Sequence, residues 1–516
     1  MSRNEESYRL SELASRIEKN KQMGGEKKID KQHGKSRLTV RERIDLLFDR
    51  GTFDETGILC HSDLPEAVPK TPADGKVCGF GQIEGRTVYV SGDDVTVMSG
   101  AGGRIGVIKA IKNFIYAAKK GFPCIHLGDG GGARIPDTMG SMGIMKAMEL
   151  FDAHTREVPF IVNIMGECYG GPTWEASISD VVIQVKGSVM AVTSPRIIEV
   201  ATGETSTAEE LGGWELHGRV TGQVDLFAEN DEECLWLCRR LLSYLPSNAH
   251  ELPPQRQCSD PSDVKIESIF EAVPEDPKQL YDIHNLLNMV FDRDSVLELK
   301  PYYDGSLVTC LARLAGQVVG VFANNPLVTA GAMGPGACEK AIAFICLCDS
   351  FNIPMIFIHD TPGFLVGRAA EEKKMPLKIM SMIKALQLRS VPCFSLIVRK
   401  SYGMAHHNMA GGKLPDAILA WPIADISFMA PDVAINAAFG QNPSENPEVE
   451  KMREAFMQEM MKKSEPWEAA GMNLIDKIID PRDTRTELVK ALDRARGSSG
   501  TGGMSRRLLA SWPRMV

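Results

Sequence analysis

Three glycine-rich segments of this sequence combine residue types that could bind a negatively charged oxygen. They lie at residues 129–134, 166–171 and 400–405 and read DGGGAR, GECYGG and KSYGMA. Glycine lets a ligand approach the backbone N–H groups closely, and a helix that starts there adds unpaired donors and a partial positive charge. The pattern is typical of an oxyanion hole, which stabilises an enolate or a tetrahedral oxygen. Tight turns that bind no ligand would use the same glycines, so spacing alone leaves both interpretations open.

The sequence offers no obvious side-chain nucleophile or metal site. It contains no HExxH motif, and Ser401 does not lie in a GxSxG turn. The adjacent residues His406 and His407 would direct their rings apart, so we expect no bound metal. Residues 100–104 read GAGGR and lack the Lys-Ser/Thr of a nucleotide-binding P-loop. These absences favour chemistry carried by backbone donors that act on an activated substrate.

The elements that must position these segments are repeated along the chain. A proline-rich, polar stretch at residues 244–264 predicts a linker between two halves, which we place at residues 1–260 and 261–516. Apolar segments match in the same order on both sides at a nearly constant offset, which predicts an internal duplication. The matched positions are Gly85 and Gly316, Asp129 and Asp360, Val158-Pro159 and Val391-Pro392, Tyr169 and Tyr402, and Asp180 and Asp416.

Each half has the same predicted order of elements. A helix precedes a β-branched strand that ends in Asp and a loop, and a second helix follows that loop. A second strand then ends in a glycine pair that begins another helix. This alternation predicts an α/β fold whose functional loops gather at strand ends. The first 50 residues are predicted to be helical, with one helix over residues 40–48 that begins at Thr39.

Composition excludes several classes of protein. The 516 residues are 43% hydrophobic and 24% charged and carry a formal net charge of −9, which is ordinary for a soluble globular protein and argues against nucleic-acid binding. No apolar stretch reaches the roughly 18 residues that a membrane-spanning helix needs. The twelve cysteines form no CxxC pair. We expect free thiols in a reducing compartment and, without an apolar leader at the N-terminus, a cytoplasmic protein with no membrane insertion.

As an ordered set, eight motifs resemble the carboxyltransferase (beta) subunits of biotin-dependent acyl-CoA carboxylases, which include propionyl-CoA and acetyl-CoA carboxylases, and of related decarboxylases. The resemblance covers residues 30–495 and implies two tandem crotonase-like (ClpP-type) domains. The motifs are RERIDLLFD at 41–49, GGARI at 131–135, TGE at 202–204, ELGG at 210–213, CDSFNIP at 348–354, DTPGFLVG at 360–367, RKSYG at 399–403 and IDPRDTR at 479–485.

The resemblance also implies roles for individual residues. In this family the N-terminal half mainly holds the acyl-CoA and the C-terminal half mainly holds carboxybiotin. Gly170 and Gly171 match a pair whose N–H groups face the acyl thioester oxygen, and Met404 and Ala405 match a pair that faces the biotin ureido oxygen. Biotin then serves as the base, and the enolate attacks CO₂. The further substrate-binding positions are Gly132, Ala133, Arg134, Tyr169, Trp174, Gly363, Phe364 and His407.

The biotin itself is expected on another protein, because the chain contains no Ala-Met-Lys-Met-like attachment sequence. The resemblance implies two partners, a biotin carboxyl carrier subunit and a biotin carboxylase. It also implies a homohexamer of stacked trimers, in which halves of different subunits meet at the active site.

Three positions depart from the family pattern. Pro172 has no N–H and follows the first glycine pair, so donation on that side must come from Gly170 and Gly171. Met404 replaces a glycine beside the predicted biotin site. His407 replaces an aspartate that is associated with short acyl groups. We therefore predict a bulkier or functionalised acyl group, in a pocket lined by Trp174, Glu175 and His407.

Other functions remain open from the sequence. The same site could run in reverse, as a subunit of a biotin-dependent acyl-CoA decarboxylase. An enoyl-CoA hydratase or isomerase would need a carboxylate opposite the oxyanion hole, which Glu167 or Glu175 could supply. A scaffold that has lost its site would show no activity with any biotin carrier.

Overall fold

A computed structural model describes residues 3–135, 137–139, 156–412, 415–440, 446–498 and 507–514. The chain divides into two compact units, Met1–Glu251 and Leu252–Val516. The division falls within the stretch at residues 244–264 that the sequence predicts as a linker.

The first unit is built on a mixed sheet of seven strands in the order β1-β2-β3-β4-β5-β7-β9. The first three strands pair antiparallel, and every pair from β3 onward is parallel. Strands β6 and β8 form a separate parallel pair. The strands are β1 (Asp54–Thr56), β2 (Lys76–Ile83), β3 (Arg86–Asp93), β4 (Cys124–Gly128), β5 (Phe160–Ile164), β6 (Glu167–Tyr169), β7 (Val181–Val185), β8 (Val189–Ala191) and β9 (Leu226–Ala228).

Helices surround this sheet and begin where local sequence favours them. The helix predicted to begin at Thr39 is confirmed, because Thr39 and Glu42 form a reciprocal capping box. The helix predicted to follow the loop at 129–134, which includes residues 144–148, lies outside the described residues. The helices of this unit are α1 (Arg3–Lys21), α2 (Glu26–His33), α3 (Val40–Leu47), α4 (Arg104–Lys120), α5 (Gly171–Ile178), α6 (Pro195–Thr202), α7 (Ala208–Gly212) and α8 (Asp231–Leu242).

Two residues of β5 that point to opposite faces of the sheet, Phe160 and Asn163, each contact a helix. On one face Phe160 packs against Phe114 of α4, with ring centroids 5.0 Å apart. On the other face Asn163 contacts the thiols of Cys234 and Cys238 in α8. Because side chains alternate along a strand, this burial on both faces confirms the predicted α/β class.

The second unit has a mixed sheet in the order β10-β11-β12-β13-β14-β15-β17, with β16 paired to β14. Again the first three strands are antiparallel and the rest pair in parallel. The strands are β10 (Leu297–Leu299), β11 (Leu307–Leu314), β12 (Gln317–Asn324), β13 (Met355–Thr361), β14 (Cys393–Tyr402), β15 (Ala417–Ala420), β16 (Asp425–Ser427) and β17 (Lys477–Ile478).

Stacked aromatic rings form part of the core of this unit. Phe322 of β12 stacks on Phe357 of β13 at 4.2 Å, and Phe344 packs against Phe322 at 4.9 Å. The helices are α9 (Ile269–Ala272), α10 (Ile283–Val290), α11 (Pro335–Ser350), α12 (Arg368–Glu372), α13 (Met375–Leu388), α14 (Gly403–Asn408), α15 (Pro431–Phe439), α16 (Pro447–Ser464), α17 (Pro466–Gly471) and α18 (Thr484–Ser498).

All twelve cysteines are free. Ten are buried, while Cys60 and Cys258 are partly exposed. Among the described helices, none is both long enough and apolar enough to cross a membrane.

Candidate active site

The first predicted loop of the first unit begins at Asp129, directly after β4. Its carboxylate is buried and accepts a hydrogen bond from Arg43 Nη1 at 3.0 Å. The same guanidinium donates from Nε to Asp231 Oδ2 at 2.8 Å. The pKa of Asp129 is raised because burial disfavours its charge, although Arg43 opposes this. Arg43 therefore ties the strand end to α3 and α8.

The backbone of this loop leaves N–H groups, among them that of Ala133, without an acceptor among the described residues. Gly102 donates its N–H to the Gly132 carbonyl at 2.7 Å and accepts from the Arg134 N–H at 2.9 Å. The residue between them, Ala133, donates no backbone hydrogen bond within the described chain. Gly132 has φ 91°, and an added Cβ would lie 3.1 Å from the Tyr169 carbonyl oxygen. Glycine is needed there because the loop meets the segment before α5.

That second segment confirms a glycine turn into a helix but changes the predicted donors. Gly170 has φ 65° and ψ −112°, a conformation that favours glycine. Its N–H donates to the Ala191 carbonyl at 3.2 Å, so it is not a free donor as predicted. Gly171 begins α5, and its N–H has no hydrogen-bond partner among the described residues. With Pro172 next in the chain, Gly171 is the donor of the predicted pair that stays available.

The predicted substrate-binding side chains of this unit differ in accessibility. The Arg134 side chain is buried and bridges Asp74 and Asp137, with Nε 2.9 Å from Asp137 Oδ2. The Arg134 guanidinium therefore holds the loop in position. Tyr169 is buried and donates to Glu167 Oε2 at 3.2 Å. Trp174 is 40% exposed on α5 and is accessible to a ligand.

A charged cluster, which we did not predict, joins one partly exposed residue of α5 to three buried side chains. Glu175 Oε2 lies 3.3 Å from His126 Nδ1, and Asp93 Oδ2 lies 3.4 Å from His126 Nε2. Asp93 also pairs with Lys76. Burial disfavours the charged imidazole, but the two carboxylates outweigh it and raise the pKa of His126. Four residues so distant in sequence carry no local signal of this cluster.

The second unit repeats the first loop. After β13, Met333 donates its N–H to the Gly363 carbonyl at 3.0 Å and accepts from the Leu365 N–H at 2.9 Å. Gly363 itself donates to Thr361 Oγ1 at 3.2 Å. Phe364 therefore takes the place of Ala133, and its N–H has no partner in the part of the chain that the structure describes.

The second loop of this unit leads from β14 into α14. Gly403 has φ 58°, and Met404 and Ala405 follow in the first turn, where helix N–H groups have no intrahelical acceptor. Met404 is 44% exposed, whereas Ala405 is buried. His407 is exposed, and its ring packs edge-on against His406 with centroids 5.6 Å apart.

One group of potential metal ligands occurs among the described residues, formed by Cys258, Asp260 and Asp292. Arg485 Nη2 lies 2.7 Å from Asp292 Oδ1 and 3.9 Å from Cys258 Sγ. A side-chain cation is thus already in contact with two of the three groups.

Residues 31–499 match the carboxyl transferase domain family, and the chain belongs to that family. It is 33% identical to the methylmalonyl-CoA decarboxylase subunit alpha of Propionigenium modestum, over 95% of this chain and 96% of that protein. It is 36% identical to the propionyl-CoA carboxylase carboxyltransferase subunit of Haloferax mediterranei, over 94% and 95%.

A solved structure gives the same result. The transcarboxylase 12S hexamer core with methylmalonyl-CoA and methylmalonic acid bound is 33% identical, with a TM-score of 0.89 over 95% of each chain. The predicted family and the prediction of an enzyme are confirmed.

Proposed function

We propose that this chain moves a carboxyl group between carboxybiotin on a separate carrier protein and the α-carbon of an acyl-CoA. One observation carries the proposal. Ala133 and Gly171, on adjoining loops of the first unit, each present an N–H that donates to no other group in the described chain. Two such donors suit a thioester oxygen that becomes an enolate oxygen, because fixed dipoles stabilise developing charge without reorganising.

The donor pair is revised from the one that the resemblance implies. Gly171 keeps its role, and Ala133 replaces Gly170, whose N–H is taken by Ala191. Arg134 supports this site from behind, because its bridges to Asp74 and Asp137 hold the loop that carries Ala133. Trp174, three residues beyond Gly171, is accessible to contact the acyl group.

The second unit is proposed to hold the biotin. Bound carboxybiotin would supply the carboxyl group and the base that removes the α-proton. The residues fit a ureido oxygen, because Phe364, Met404 and Ala405 offer N–H groups that donate to nothing else in the described chain. Their task is to hold that oxygen in place.

The acyl group is proposed to be larger or more functionalised than acetyl or propionyl. His407 is exposed beside the second loop, where the family pattern has an aspartate. Kinetics over a panel of acyl-CoAs should show that His407→Asp shifts the relative kcat/KM values toward short chains. Unchanged relative values would reject a role for His407 in acyl selection.

The transfer could also run from a malonyl-type CoA to biotin. This second candidate is favoured by the likeness to the methylmalonyl-CoA decarboxylase subunit of Propionigenium modestum. Coupling to an ATP-dependent biotin carboxylase, as against a decarboxylating partner, would distinguish the two directions.

A hydratase or isomerase fits less well, because both candidate carboxylates have partners. Glu167 Oε2 accepts from the Tyr169 hydroxyl at 3.2 Å, and Glu175 is paired with His126. Neither is poised as a free acid or base opposite the donors. Hydration of crotonyl-CoA without biotin would favour a hydratase or isomerase instead.

The two units are proposed to be crotonase-like domains that arose by duplication. Support comes from left-handed backbone positions, which few residues adopt and which recur at corresponding places in both units. The corresponding pairs are Glu84 and Ala315, Gly85 and Gly316, Met98 and Thr329, Ser99 and Ala330, Gly100 and Gly331, and Gly170 and Gly403.

The protein is proposed to act as a homohexamer of stacked trimers with a biotin carboxylase and a biotin carboxyl carrier subunit. The likeness to the transcarboxylase 12S hexamer supports this assembly. Mass photometry of the purified protein would test it, with a monomer or dimer as the contrary result.

The decisive experiment mixes the purified protein with free biotin and malonyl-CoA, methylmalonyl-CoA or larger carboxylated acyl-CoAs. Mass spectrometry should show biotin-dependent loss of the carboxyl group from one of them. Turnover that does not require biotin would refute the proposal.

A further inference from the structure

Four side chains of the second unit form a hydrogen-bonded chain from the sheet to the first turn of α14. Ser395 Oγ lies 2.8 Å from His359 Nε2, and His359 Nδ1 lies 2.8 Å from Ser401 Oγ. Ser401 Oγ lies in turn 2.9 Å from His406 Nδ1. The first three residues are fully buried, whereas His406 is partly exposed. This hydrogen-bonded chain therefore connects the core with the partly exposed His406 of α14.

The packing around the two imidazoles is tight. Their centroids are 5.8 Å apart in an edge-to-face arrangement. Gly411 lies against both rings, and an added Cβ there would be 2.5 Å from His406 Cε1 and 2.9 Å from His359 Cε1. Only glycine at position 411 leaves room for the two imidazole rings to pack edge to face.

Both rings are neutral near pH 7. Burial lowers the pKa of His406 to about 4, and neighbouring His407 lowers it by a smaller amount. A hydrogen-bonding interaction with the Gly411 backbone acts in the opposite direction and is weaker. Burial likewise lowers the pKa of His359 well below its usual range. A neutral imidazole carries one N–H and one acceptor nitrogen, so each ring has a direction in the chain.

The buried end determines that direction. In the described part of the chain, Ser395 Oγ has one hydrogen-bond partner, His359 Nε2. The Ser395 hydroxyl donates to that nitrogen, because a buried O–H without an acceptor is costly. His359 then donates from Nδ1 to Ser401 Oγ, and the Ser401 hydroxyl donates to His406 Nδ1. The proton of His406 is consequently on Nε2.

We infer that the Nε2–H of His406 is a hydrogen-bond donor to the ligand held by the second unit, beside the N–H groups of Met404 and Ala405. The two ring nitrogens flank Cε1 and point in different directions, so Nε2 does not face buried Ser401 when Nδ1 contacts it. The ligand must present an acceptor oxygen, such as a ureido or carboxylate oxygen, since this orientation of the chain offers it no lone pair. The inference rests on the proposed function, in which that ligand is biotin.

A matched pair of variants separates this role from a structural one. The amide of Gln reaches the position of Nε2, and the amide of Asn reaches that of Nδ1. With free biotin as the probe, His406→Asn should raise the KM for biotin about tenfold, the cost of one lost hydrogen bond. His406→Gln should stay within about threefold of wild type. The KM for the acyl-CoA should not change in either variant. The reverse order, with Asn the better replacement, would overturn the inference.

A variant of Ser395, at the buried end, tests the direction in which the hydrogen bonds of the four side chains run. Ser395→Ala removes the hydroxyl that orients His359, and it should raise the KM for biotin, while Ser395→Thr should restore it. An effect of Ser395→Ala on thermal stability alone would contradict the inference.

Neutron diffraction from crystals of the whole protein gives a readout that does not depend on activity. Deuterium on His406 Nε2 and His359 Nδ1 is expected, and deuterium on His406 Nδ1 would overturn the inference. If wild type shows no biotin-dependent transfer while the deuterium positions are as expected, the proposed function fails and the assigned tautomer stands.

Discussion

Substitution of Gly171 by proline would remove the N–H of one proposed donor of the first unit. Gly171 is the first residue of α5, a position that favours proline, and its φ is not left-handed. An added Cβ would meet nothing within 4 Å. Gly171→Pro deletes one donor at a helix position that accepts proline, although the following Pro172 restricts the backbone of residue 171. Gly171→Ala keeps the donor and adds a methyl group of similar placement.

The expected loss follows from the number of donors. The proposed pair of the first unit is Ala133 and Gly171, so the proline variant keeps one of these two donors. Removal of one oxyanion donor typically lowers kcat by about 10²–10³, or about 2.7–4 kcal/mol of transition-state stabilisation. We expect a loss of that size for Gly171→Pro and less than about threefold for Gly171→Ala.

The assay is biotin-dependent loss of the carboxyl group from the best CoA substrate, followed by mass spectrometry with both substrates varied. Thermal unfolding of both variants should match wild type, which separates a lost donor from a damaged helix. Equal kcat values for the proline and alanine variants would show that Gly171 does not stabilise the oxygen, and the proposed donor pair would have to be abandoned.

Three further perturbations have defined outcomes. Arg43→Leu should lower the free energy of unfolding in urea by about 3–5 kcal/mol, because it leaves Asp129 and Asp231 buried without their partner; no change would show that water replaces the guanidinium. Arg134→Leu should lower kcat/KM for the acyl-CoA by about tenfold or more without changing the KM for biotin, because the loop loses its bridges; equal effects on both substrates would contradict a local role. The pKa of His406 is about 4 when folded against 6.5 in the unfolded chain, so the unfolded state binds the proton first as pH falls. Its contribution to the free energy of unfolding, on the order of 3 kcal/mol, is present above pH 6.5 and lost toward pH 4, and urea titrations of His406→Asn should show a flatter pH dependence.

The sequence predicted the loops well because their signals are local. Glycines that follow apolar runs mark strand ends, and the capping pair Thr39 and Glu42 marks a helix start. Contacts across the chain were not predictable in this way. The N–H of Gly170 is used by Ala191 because β8 pairs beside β6, and no residue near Gly170 indicates that pairing.

The side-chain partners of the site residues were not predictable from the sequence for the same reason. Arg134 looked like a ligand-binding residue, and its neighbour in space, Asp74, is 60 positions away in the sequence. His359 and Ser401 are separated by 42 positions, and each is unremarkable in its own strand. Only the register of β13 against β14 brings them together.

The distribution of buried and partly exposed thiols allows unfolding to be followed by chemical labelling of cysteine. Ten cysteines are enclosed and two, Cys60 and Cys258, reach the surface, with no disulfide to complicate the reading. A thiol-reactive reagent should label up to two cysteines before unfolding and the other ten only when a unit opens. Cysteines lie in both units, so mass spectrometry of labelled peptides would time the opening of each unit separately within one intact chain.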